Sequence, residues 1–243
     1  MKNVIRKVAR KFGYEIARTK EVSVGFHKHS DLKRLLAHVS KPLILDIGAN
    51  AGQTVEEMKA LFPESSIHSF EPSPKTFQNL ASNVKGLSGV KLNNFGIGST
   101  QSESTLLENT SSVMTSFLEM DKDGWGDISR RTVVRVETLD AYCETNQINR
   151  INILKTDTQG YDLHVLKGAQ RLFEANAVDL VLIEITFSRQ YKDAASFDEI
   201  WSILMENGFR LVSFYNMKHR NGVADWCDAI FIHGSLLHET DGG

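Results

Sequence analysis

The stretch "LDIGANAGQT", residues 45–54, carries a short apolar run through a glycine-containing turn directly into a helical pattern. Leu43–Ile47 is predicted to be a buried strand, and Gln53–Leu61 is predicted to be a helix. A strand that turns at once into a helix is typical of βαβ units, which build parallel sheets. The stretch therefore predicts an α/β fold.

The alternation of strand and helix continues along most of the chain. Further elements are predicted as strands at Ile67–Glu71, Val90–Phe95, Ile151–Thr156 and Leu180–Ile185, and as helices at Leu163–Phe173 and Phe197–Asn207. Residues 99–137 are less regular and are predicted to form an insertion with a strand at 133–138. Two strand patterns, at 209–215 and 229–234, have no helix between them, so the last strand is expected to run antiparallel. We therefore predict a doubly wound, mostly parallel seven-stranded sheet with an antiparallel last strand.

Length and composition are those of an ordinary globular protein. The chain has 243 residues, of which 41% are hydrophobic and 24% charged, and its net charge is −2. A charge so close to neutral gives no reason to expect a nucleic-acid partner. The two cysteines, Cys143 and Cys227, lie far apart, which fits a reducing compartment. No apolar run approaches the roughly 18 residues that span a bilayer, so a cytoplasmic location is expected.

The N-terminal segment differs in charge from the rest of the chain. Residues 1–20 hold seven basic residues against Glu15, a net charge of +6, and their apolar residues recur at helical spacing. We predict a basic helical segment at 1–40 ahead of one domain at 41–243. Two interpretations stay open. The helix packs on the domain with a solvated basic face, or it makes a weak peripheral contact with an anionic membrane surface at the inner membrane face.

The first turn and the end of the second strand predict a nucleoside site. Gly48 and Gly52 are expected to let backbone approach a ligand where a side chain would clash, with Asn50 between them. The helix that follows offers free N–H groups. Glu71 ends the second strand, 25 residues after Asp46, and a carboxylate at that place can accept hydrogen bonds from both hydroxyls of a ribose.

The sequence of the turn narrows the choice of nucleoside. It lacks the G-x-G-x-x-G pattern that brings a helix against a dinucleotide pyrophosphate. Asp46 is instead placed to face a positively charged amino-acid portion. Together with the antiparallel last strand, these features resemble the class I S-adenosylmethionine-dependent methyltransferases. A non-catalytic nucleoside-binding module of the same fold and a nicotinamide-dependent oxidoreductase are the alternatives.

Six stretches resemble the FkbM family of methyltransferases in order and spacing. They are "DIGANAGQT", "FEPSPKTFQNL", "NNFGIGS", "VETLD", "LKTDTQGYDLHVLKGA" and "LVLIEI". The resemblance covers about residues 43–233, and its most specific part is the fifth stretch, residues 154–169. The chain departs from the family at Asp162, where Glu is typical, and at Gly96, where Ala is common.

This resemblance implies a reaction and an approximate site. The expected reaction moves the methyl group of S-adenosylmethionine to a hydroxyl oxygen of a sugar, glycan or secondary-metabolite acceptor. Pro72, Ser73 and Asn94 are implied as neighbours of the adenine. The acceptor is expected to be recognised by residues 99–132 and 186–196. The sequence leaves the identity of this acceptor and the oligomeric state open.

Two further carboxylates are expected beside the methyl group. Asp157 and Glu184 end neighbouring strands, and ligands of doubly wound sheets lie beyond such ends. We assign Asp157 the role of general base, or of ligand to a divalent cation (Mg or Mn) that acidifies the hydroxyl. Gln159 and Tyr161 are predicted to orient the acceptor. Two structural alternatives stay open, namely Asp157 as a helix N-cap and Glu184 as the ion-pair partner of Lys155.

Overall fold

The computed structural model describes residues 24–239, so the predicted basic segment at residues 1–20 lies outside the described residues. The predicted domain boundary at residue 40 stays a prediction. Within residues 24–239, no helix is long and apolar enough to cross a membrane.

The described chain alternates strands and helices around two sheets. The strands are β1 (Leu43–Ile47), β2 (Ser66–Phe70), β3 (Val90–Asn93), β4 (Gly96–Ile97), β5 (Ser102–Asn109), β6 (Ile128–Glu137), β7 (Ile151–Thr156), β8 (Val178–Thr186), β9 (Phe209–Arg220) and β10 (Val223–His233). The α-helices are α1 (Lys28–Leu35), α2 (Gln53–Leu61), α3 (Pro74–Asn83), α4 (Leu139–Thr145), α5 (Asp162–Lys167), α6 (Gln170–Glu174) and α7 (Phe197–Glu206). Two 3-10 turns lie at Ser112–Met114 and Gly234–Glu239.

The large sheet has seven strands in the order β3-β2-β1-β7-β8-β10-β9. β1 pairs in parallel with β2 and β7, and β7 pairs in parallel with β8. β10 runs antiparallel to both β8 and β9. The predicted doubly wound, mostly parallel sheet with an antiparallel last strand is therefore confirmed. Its strand order reverses between β1 and β7, which is where ligands of such sheets bind.

The central strands are apolar because the sheet is covered on both faces. In β1, Leu45 and Ile47 belong to one hydrophobic core and Ile44 to the other, as the alternation of side chains along a strand requires. The first core includes residues of α4, α5, α6 and α7. The second core includes residues of α1, α2 and α3.

The predicted helix at 163–173 is wrong as a single element, since the structure divides it into α5 and α6. The division falls at Gly168, where a Cβ atom would lie 2.1 Å from the carbonyl oxygen of Gly98. The carboxylate of Asp140 then accepts hydrogen bonds from the N–H groups of Arg171 and Leu172 at 2.9 and 3.1 Å. The close approach of Gly98 therefore ends α5 before Gly168, and the cap by Asp140 stabilises the start of α6.

The predicted insertion at 99–137 is more regular than expected. It contains β5 and β6, which pair antiparallel and form a small sheet with β4. Residues 110–127, which we call the crossing loop, connect β5 to β6. Single bridges join Ser116 of this loop to Leu107 and Met120 to Tyr191. The crossing loop is therefore held against the segment that follows β8.

Candidate functional site

Among residues 24–239, two of the pockets at the carboxyl edge of the large sheet contain most of the predicted site residues, and a third, smaller one is lined by both Asp157 and Glu184. The β1–β2 pocket has a volume of 90 Å³ and lies over the ends of β1 and β2, where the crossing loop covers it. The β8 pocket has a volume of 690 Å³ and lies beyond the end of β8. Asp157 lines the first pocket and Glu184 lines the second. The two predicted carboxylates thus face adjoining cavities.

The glycines of the first turn are required by contacts within the protein. Gly48 has φ +78°, and a Cβ atom there would lie 2.0 Å from the carbonyl oxygen of Asp157. Gly52 has φ +100°, and its Cβ would lie 2.9 Å from Val84 and 3.1 Å from Leu80. Gly48 also lines the β1–β2 pocket, whereas Gly52 packs against α3 and the residue after it. Direct contact of either glycine with a ligand stays a prediction.

Glu71 lies at the floor of the β1–β2 pocket and is held by backbone donors. Its two carboxylate oxygens accept hydrogen bonds from the N–H groups of Asn50 at 3.0 Å and Ser73 at 2.9 Å. Burial raises the pKa of Glu71 to about 7, although these two bonds oppose the rise. The buried Oδ1 atom of Asn50 has no hydrogen-bond partner among the described residues. The pocket therefore offers acceptors that can bind the hydroxyls of a ribose.

Pro72 lines the same pocket, while Ser73 and Asn94 hold the loop that carries Glu71. The Ser73 hydroxyl donates to the buried Glu108 carboxylate at 2.8 Å. The side-chain amide of Asn94 donates to the backbone carbonyls of Glu71 at 2.8 Å and Pro72 at 3.2 Å. Their predicted contacts with adenine stay predictions. The apolar wall of the pocket includes Phe70, Phe95, Ile97, Leu106 and Phe117.

Asp46 lies beneath the turn, fully buried, and forms an ion pair with Lys155. The Lys155 Nζ is 3.0 Å from Asp46 Oδ1 and donates to the Gly48 carbonyl at 3.0 Å. Burial raises the pKa of Asp46, and the positive charge of Lys155 opposes this. The alternative that pairs Lys155 with Glu184 is wrong, because this ammonium is directed to Asp46 instead. The predicted contact of Asp46 with a ligand stays a prediction.

One side-chain amide connects the carboxylates of Asp157 and Glu184. The Gln159 Nε2 donates to Asp157 Oδ1 at 2.9 Å and, more weakly, to Glu184 Oε1 at 3.4 Å. Burial, followed by the negative charges of Asp157 and Asp162, raises the pKa of Glu184 well above its usual range. The expected convergence of the two strand ends therefore takes the form of a linked carboxylate pair.

The helix-cap alternative for Asp157 is wrong, because α5 begins at Asp162. The buried Asp162 carboxylate accepts hydrogen bonds from the Thr156 hydroxyl at 2.5 Å and from the Thr158 N–H at 3.1 Å. Asp162 thereby fixes the turn between β7 and α5. The Asp157 carboxylate is left free of a capping role.

Tyr161 occupies a different place from the one expected of a residue that orients the acceptor. Its ring stacks on His164 with 4.2 Å between centroids and contacts Phe117 at 4.9 Å. The phenol hydroxyl lies near Gly98, beside the small sheet. The predicted role of Tyr161 stays a prediction, but its side chain is directed toward the small sheet.

Tyr191, a buried residue of the β8 pocket, was not predicted from the sequence. Its hydroxyl donates a hydrogen bond to Gln159 Oε1 at 2.8 Å. It lies within residues 186–196, which were expected to recognise the acceptor. Phe187 and Phe197 add aromatic surface to the same pocket. No motif marks Tyr191, because its contact with Gln159 depends on how the segment after β8 folds back.

A divalent cation at Asp157 and Glu184 stays a prediction. Among residues 24–239, no group of three or more His, Cys, Asp or Glu side chains is arranged to hold a metal ion. A cationic side chain already lies beside Asp157, since the Lys155 Nζ is 3.8 Å from Asp157 Oδ2.

Comparison with known proteins gives consistent matches. The model of the Methyltransferase FkbM domain matches residues 46–211. "Methyltransferase 1" of Beauveria bassiana is 26% identical over 163 residues, which cover 60% of this chain and 65% of the relative. "Hexuronic acid methyltransferase AglP" of Haloferax volcanii is 23% identical over 168 residues, covering 67% of this chain and 64% of the relative. The chain thus spans slightly less than two thirds of the length of each of these relatives.

A solved structure of an rRNA methylase from Streptococcus thermophilus is similar over most of the chain. The comparison covers 90% of this chain and 99% of that one, with a TM-score of 0.49 and 11% sequence identity.

Proposed function

The chain belongs to the FkbM methyltransferase family, and from this we propose that it transfers the methyl group of S-adenosylmethionine to a hydroxyl oxygen of a sugar, glycan or secondary-metabolite acceptor. The observation that carries the proposal is the carboxylate pair of Asp157 and Glu184, linked through Gln159 between two adjoining pockets. One pocket holds features for a nucleoside, and the other has room for an acceptor.

The β1–β2 pocket is proposed as the cofactor site. Glu71 would accept hydrogen bonds from the ribose hydroxyls, and the unpaired Oδ1 of Asn50 offers a further acceptor. The aromatic and aliphatic wall suits the adenine. Asp157 lines the same pocket, and Gln159 connects it to Glu184 in the β8 pocket. When bound, S-adenosylmethionine supplies an electrophilic methyl group.

Asp157 and Glu184 are proposed to remove the proton of the acceptor hydroxyl. An alcohol attacks well only if its proton leaves as the new bond forms. The raised pKa of Glu184 makes this group a stronger base than an ordinary carboxylate. Both carboxylates contact the same Gln159 amide, so the acceptor hydroxyl would meet two neighbouring proton acceptors.

A sugar is the acceptor class that the β8 pocket suits best. Phe187 and Phe197 offer apolar faces, while Glu184 and Asp162 line the same cavity with hydrogen-bond acceptors. A sugar ring presents apolar C–H faces and hydroxyl donors together. The similarity to a hexuronic acid methyltransferase supports the same class.

The test is transfer of a labelled methyl group from S-adenosylmethionine to a panel of hexoses, hexuronic acids and glycolipids. Labelled product that resists alkaline hydrolysis is expected, because an ether at a hydroxyl survives base and an ester at a carboxylate does not. Cofactor binding without transfer to any acceptor would favour the non-catalytic module. Binding of a nicotinamide cofactor instead would favour the oxidoreductase.

Glu71→Ala is expected to weaken S-adenosylmethionine binding by about 1.5–3 kcal/mol, the scale of hydrogen bonds to a charged group. The affinity of the parent protein should also depend on pH. Since the pKa of Glu71 is about 7 in the unliganded protein, lowering the pH protonates the ribose acceptor and weakens binding. We expect a loss of about tenfold between about pH 8 and about pH 6. Titration calorimetry at several pH values measures both effects.

Glu71→Gln is the matched control, since it keeps the volume of Glu71 but cannot ionise. Its affinity for S-adenosylmethionine should be low and nearly independent of pH. Equal affinities for the parent protein and Glu71→Ala would exclude Glu71 from the cofactor site.

A further inference from the structure

Tyr191 contacts the site of the proposed reaction but has no assigned role in it. Its side chain is 5% exposed, and its hydroxyl lies 2.8 Å from Gln159 Oε1. Gln159 is the residue that contacts both Asp157 and Glu184. Three side chains, from the end of β7, from β8 and from the segment after β8, therefore converge on one amide group.

The segment that carries Tyr191 is fixed by the backbone of the crossing loop. Tyr191 forms an antiparallel bridge with Met120. On either side, the Asp121 N–H donates to the Gln190 carbonyl at 2.9 Å and the Lys192 N–H donates to the Glu119 carbonyl at 2.8 Å. The pairing of the crossing loop with the segment after β8 thus fixes the position of Tyr191 beside Gln159.

The direction of the hydrogen bond follows from the charges around Tyr191. Burial, and then the negative charges of Glu184 and Asp157, raise the pKa of the phenol far above its usual range. Tyr191 therefore keeps its proton and acts as a donor. The other nearby acceptor is the sulfur of Met114 at 3.5 Å, which accepts weakly. The proton accordingly goes to Gln159 Oε1.

This bond decides which end of the Gln159 amide meets the carboxylates. The two ends of a side-chain amide have nearly the same shape, so their hydrogen-bond partners set the orientation. With Oε1 bound to Tyr191, the NH₂ group faces Asp157 and Glu184. In the reversed orientation, Oε1 would face two carboxylate oxygens, and the Tyr191 hydroxyl could bind the amide only as an acceptor of its NH₂ group.

The backbone of Gln159 is held separately from its side chain. Its φ is +56°, a left-handed conformation that is uncommon for a residue other than glycine. The Ser116 hydroxyl donates to its carbonyl at 2.7 Å. Loss of the Tyr191 hydroxyl would thus free the amide to rotate while the backbone stays in place.

We propose that Tyr191 is a positioning residue, whose hydroxyl orients the Gln159 amide so that its NH₂ group holds Asp157 and Glu184 together between the two pockets. The proposal rests on the proposed methyl transfer, because it concerns the carboxylate pair that would receive the acceptor proton. Tyr191 acts through Gln159 and does not itself exchange a proton with the acceptor.

Tyr191→Phe is the test, since it keeps the ring and removes the hydroxyl. We expect kcat to fall about 5- to 100-fold, the scale of leaving a buried acceptor without its donor. The affinity for S-adenosylmethionine and the KM for a free hexuronic acid should change less than about twofold, because the contacts of the cofactor pocket and the aromatic ring are retained. A larger change in KM than in kcat would mean that Tyr191 binds the acceptor rather than positions the pair, and would overturn the proposal.

The pH dependence of kcat distinguishes a positioning role of Tyr191 from a purely structural one, because a purely structural role would leave this dependence unchanged. A hydrogen bond from NH₂ to an ionised carboxylate favours ionisation, so its loss should raise the pKa of Glu184 further. The acidic limb of the kcat profile should therefore shift to higher pH in Tyr191→Phe. The groups that face Glu184 and contribute to this profile are Asp157, Asp162, Asp228 and Lys155. An unshifted profile with kcat within about twofold of the parent overturns the proposal.

Tyr215→Phe is the matched control. Tyr215 is also buried and also loses a hydrogen bond, the one its hydroxyl donates to Asp31 at 2.8 Å. It lies in β9, in the core formed with α1, α2 and α3. This variant should keep the kcat and the pH profile of the parent even if its stability falls.

A second measurement separates this proposal from the proposed function. The side-chain amide signals of Gln159 can be followed by ¹H–¹⁵N NMR and assigned by their absence in Gln159→Leu. In the parent they should respond to the ionisation of Glu184, and in Tyr191→Phe that response should diminish. If no acceptor is methylated but the NMR difference appears, the proposed function fails and the positioning role stands. Identical Gln159 titrations in the parent and in Tyr191→Phe overturn the positioning role whether or not transfer occurs.

Discussion

Asp157→Asn is expected to lower methyl transfer about 10²–10⁴-fold, the range for losing a general base, while folding and cofactor affinity survive. Asn has nearly the same volume and can still accept the hydrogen bond from Gln159 Nε2, which is 2.9 Å from Asp157 Oδ1. The substitution removes the negative charge and little else. Initial rates with labelled S-adenosylmethionine, together with the urea unfolding midpoint of each variant, measure the two effects separately.

Asp140→Asn provides a control with the same chemical change at a position of known structural role. Asp140 accepts the N–H groups of Arg171 and Leu172 at the start of α6, and Asn caps helices as well as Asp does. Transfer by this variant should match the parent. If Asp157→Asn also stays within a fewfold of the parent, the proton acceptor must be sought at Glu184, and Glu184→Gln becomes the decisive variant.

The same transfer assay, run with and without a chelator, distinguishes Asp157 as a general base from Asp157 as a ligand to a divalent cation. A cation-dependent enzyme should lose activity in chelator and regain it with added magnesium or manganese. In that case Asp157→Asn should also weaken the metal dependence. Activity that is indifferent to chelator would leave Asp157 and Glu184 as direct proton acceptors.

Local sequence was sufficient to predict the strands at the centre of the sheet. Leu43–Ile47 and Ile151–Thr156 have the bounds expected from their apolar runs, because a strand buried on both faces needs an apolar residue at nearly every position. The break between α5 and α6 could not be predicted in this way. It depends on the approach of Gly168 to Gly98, two residues that are distant in sequence.

The ion pair of Lys155 shows why part of the site escaped prediction. Lys155 lies between two neighbouring strands, and each offers an acid near it. In the register of β1 with β7, Asp46 lies directly opposite Lys155. In the register of β7 with β8, the residue opposite Lys155 is Leu182, and Glu184 lies two positions further along. The sequence shows both acids as possible ion-pair partners of Lys155. The choice between them depends on the register of the strands, which the sequence leaves open.

The carboxylates were predicted and Tyr191 was not, for a related reason. Asp157, Gln159 and Glu184 follow or end strands whose carboxyl ends share one edge of the sheet, so their proximity follows from the topology. Tyr191 belongs to an irregular segment that reaches Gln159 through its pairing with the crossing loop. A contact between two loops leaves no periodic pattern of residues in the sequence of either loop, so it cannot be predicted from hydrophobic spacing.

Gly48→Ala is expected to destabilise the protein by more than about 3 kcal/mol, since it combines an unfavourable backbone conformation with a steric clash. The added Cβ would lie 2.0 Å from the carbonyl oxygen of Asp157, a backbone atom that cannot rotate away as the end of a flexible side chain can. The Asp157 N–H donates to the Ile47 carbonyl at 3.1 Å, so a displacement would disturb the junction of β1 and β7.

Gly86→Ala isolates the conformational part of this effect. Gly86 has φ +92°, and a Cβ atom there would have no neighbour within 4 Å. Its replacement should cost about 1–2 kcal/mol, the penalty of a left-handed conformation alone. Urea unfolding of both variants gives the difference, which we assign to the contact of Gly48 with Asp157. Because Gly48 itself lines the β1–β2 pocket, Gly48→Ala should also lose affinity for S-adenosylmethionine, whereas Gly86→Ala should not. Equal destabilisation by the two substitutions would mean that the turn can relax, and the close approach of β1 to the end of β7 would then not be what requires a glycine at this position.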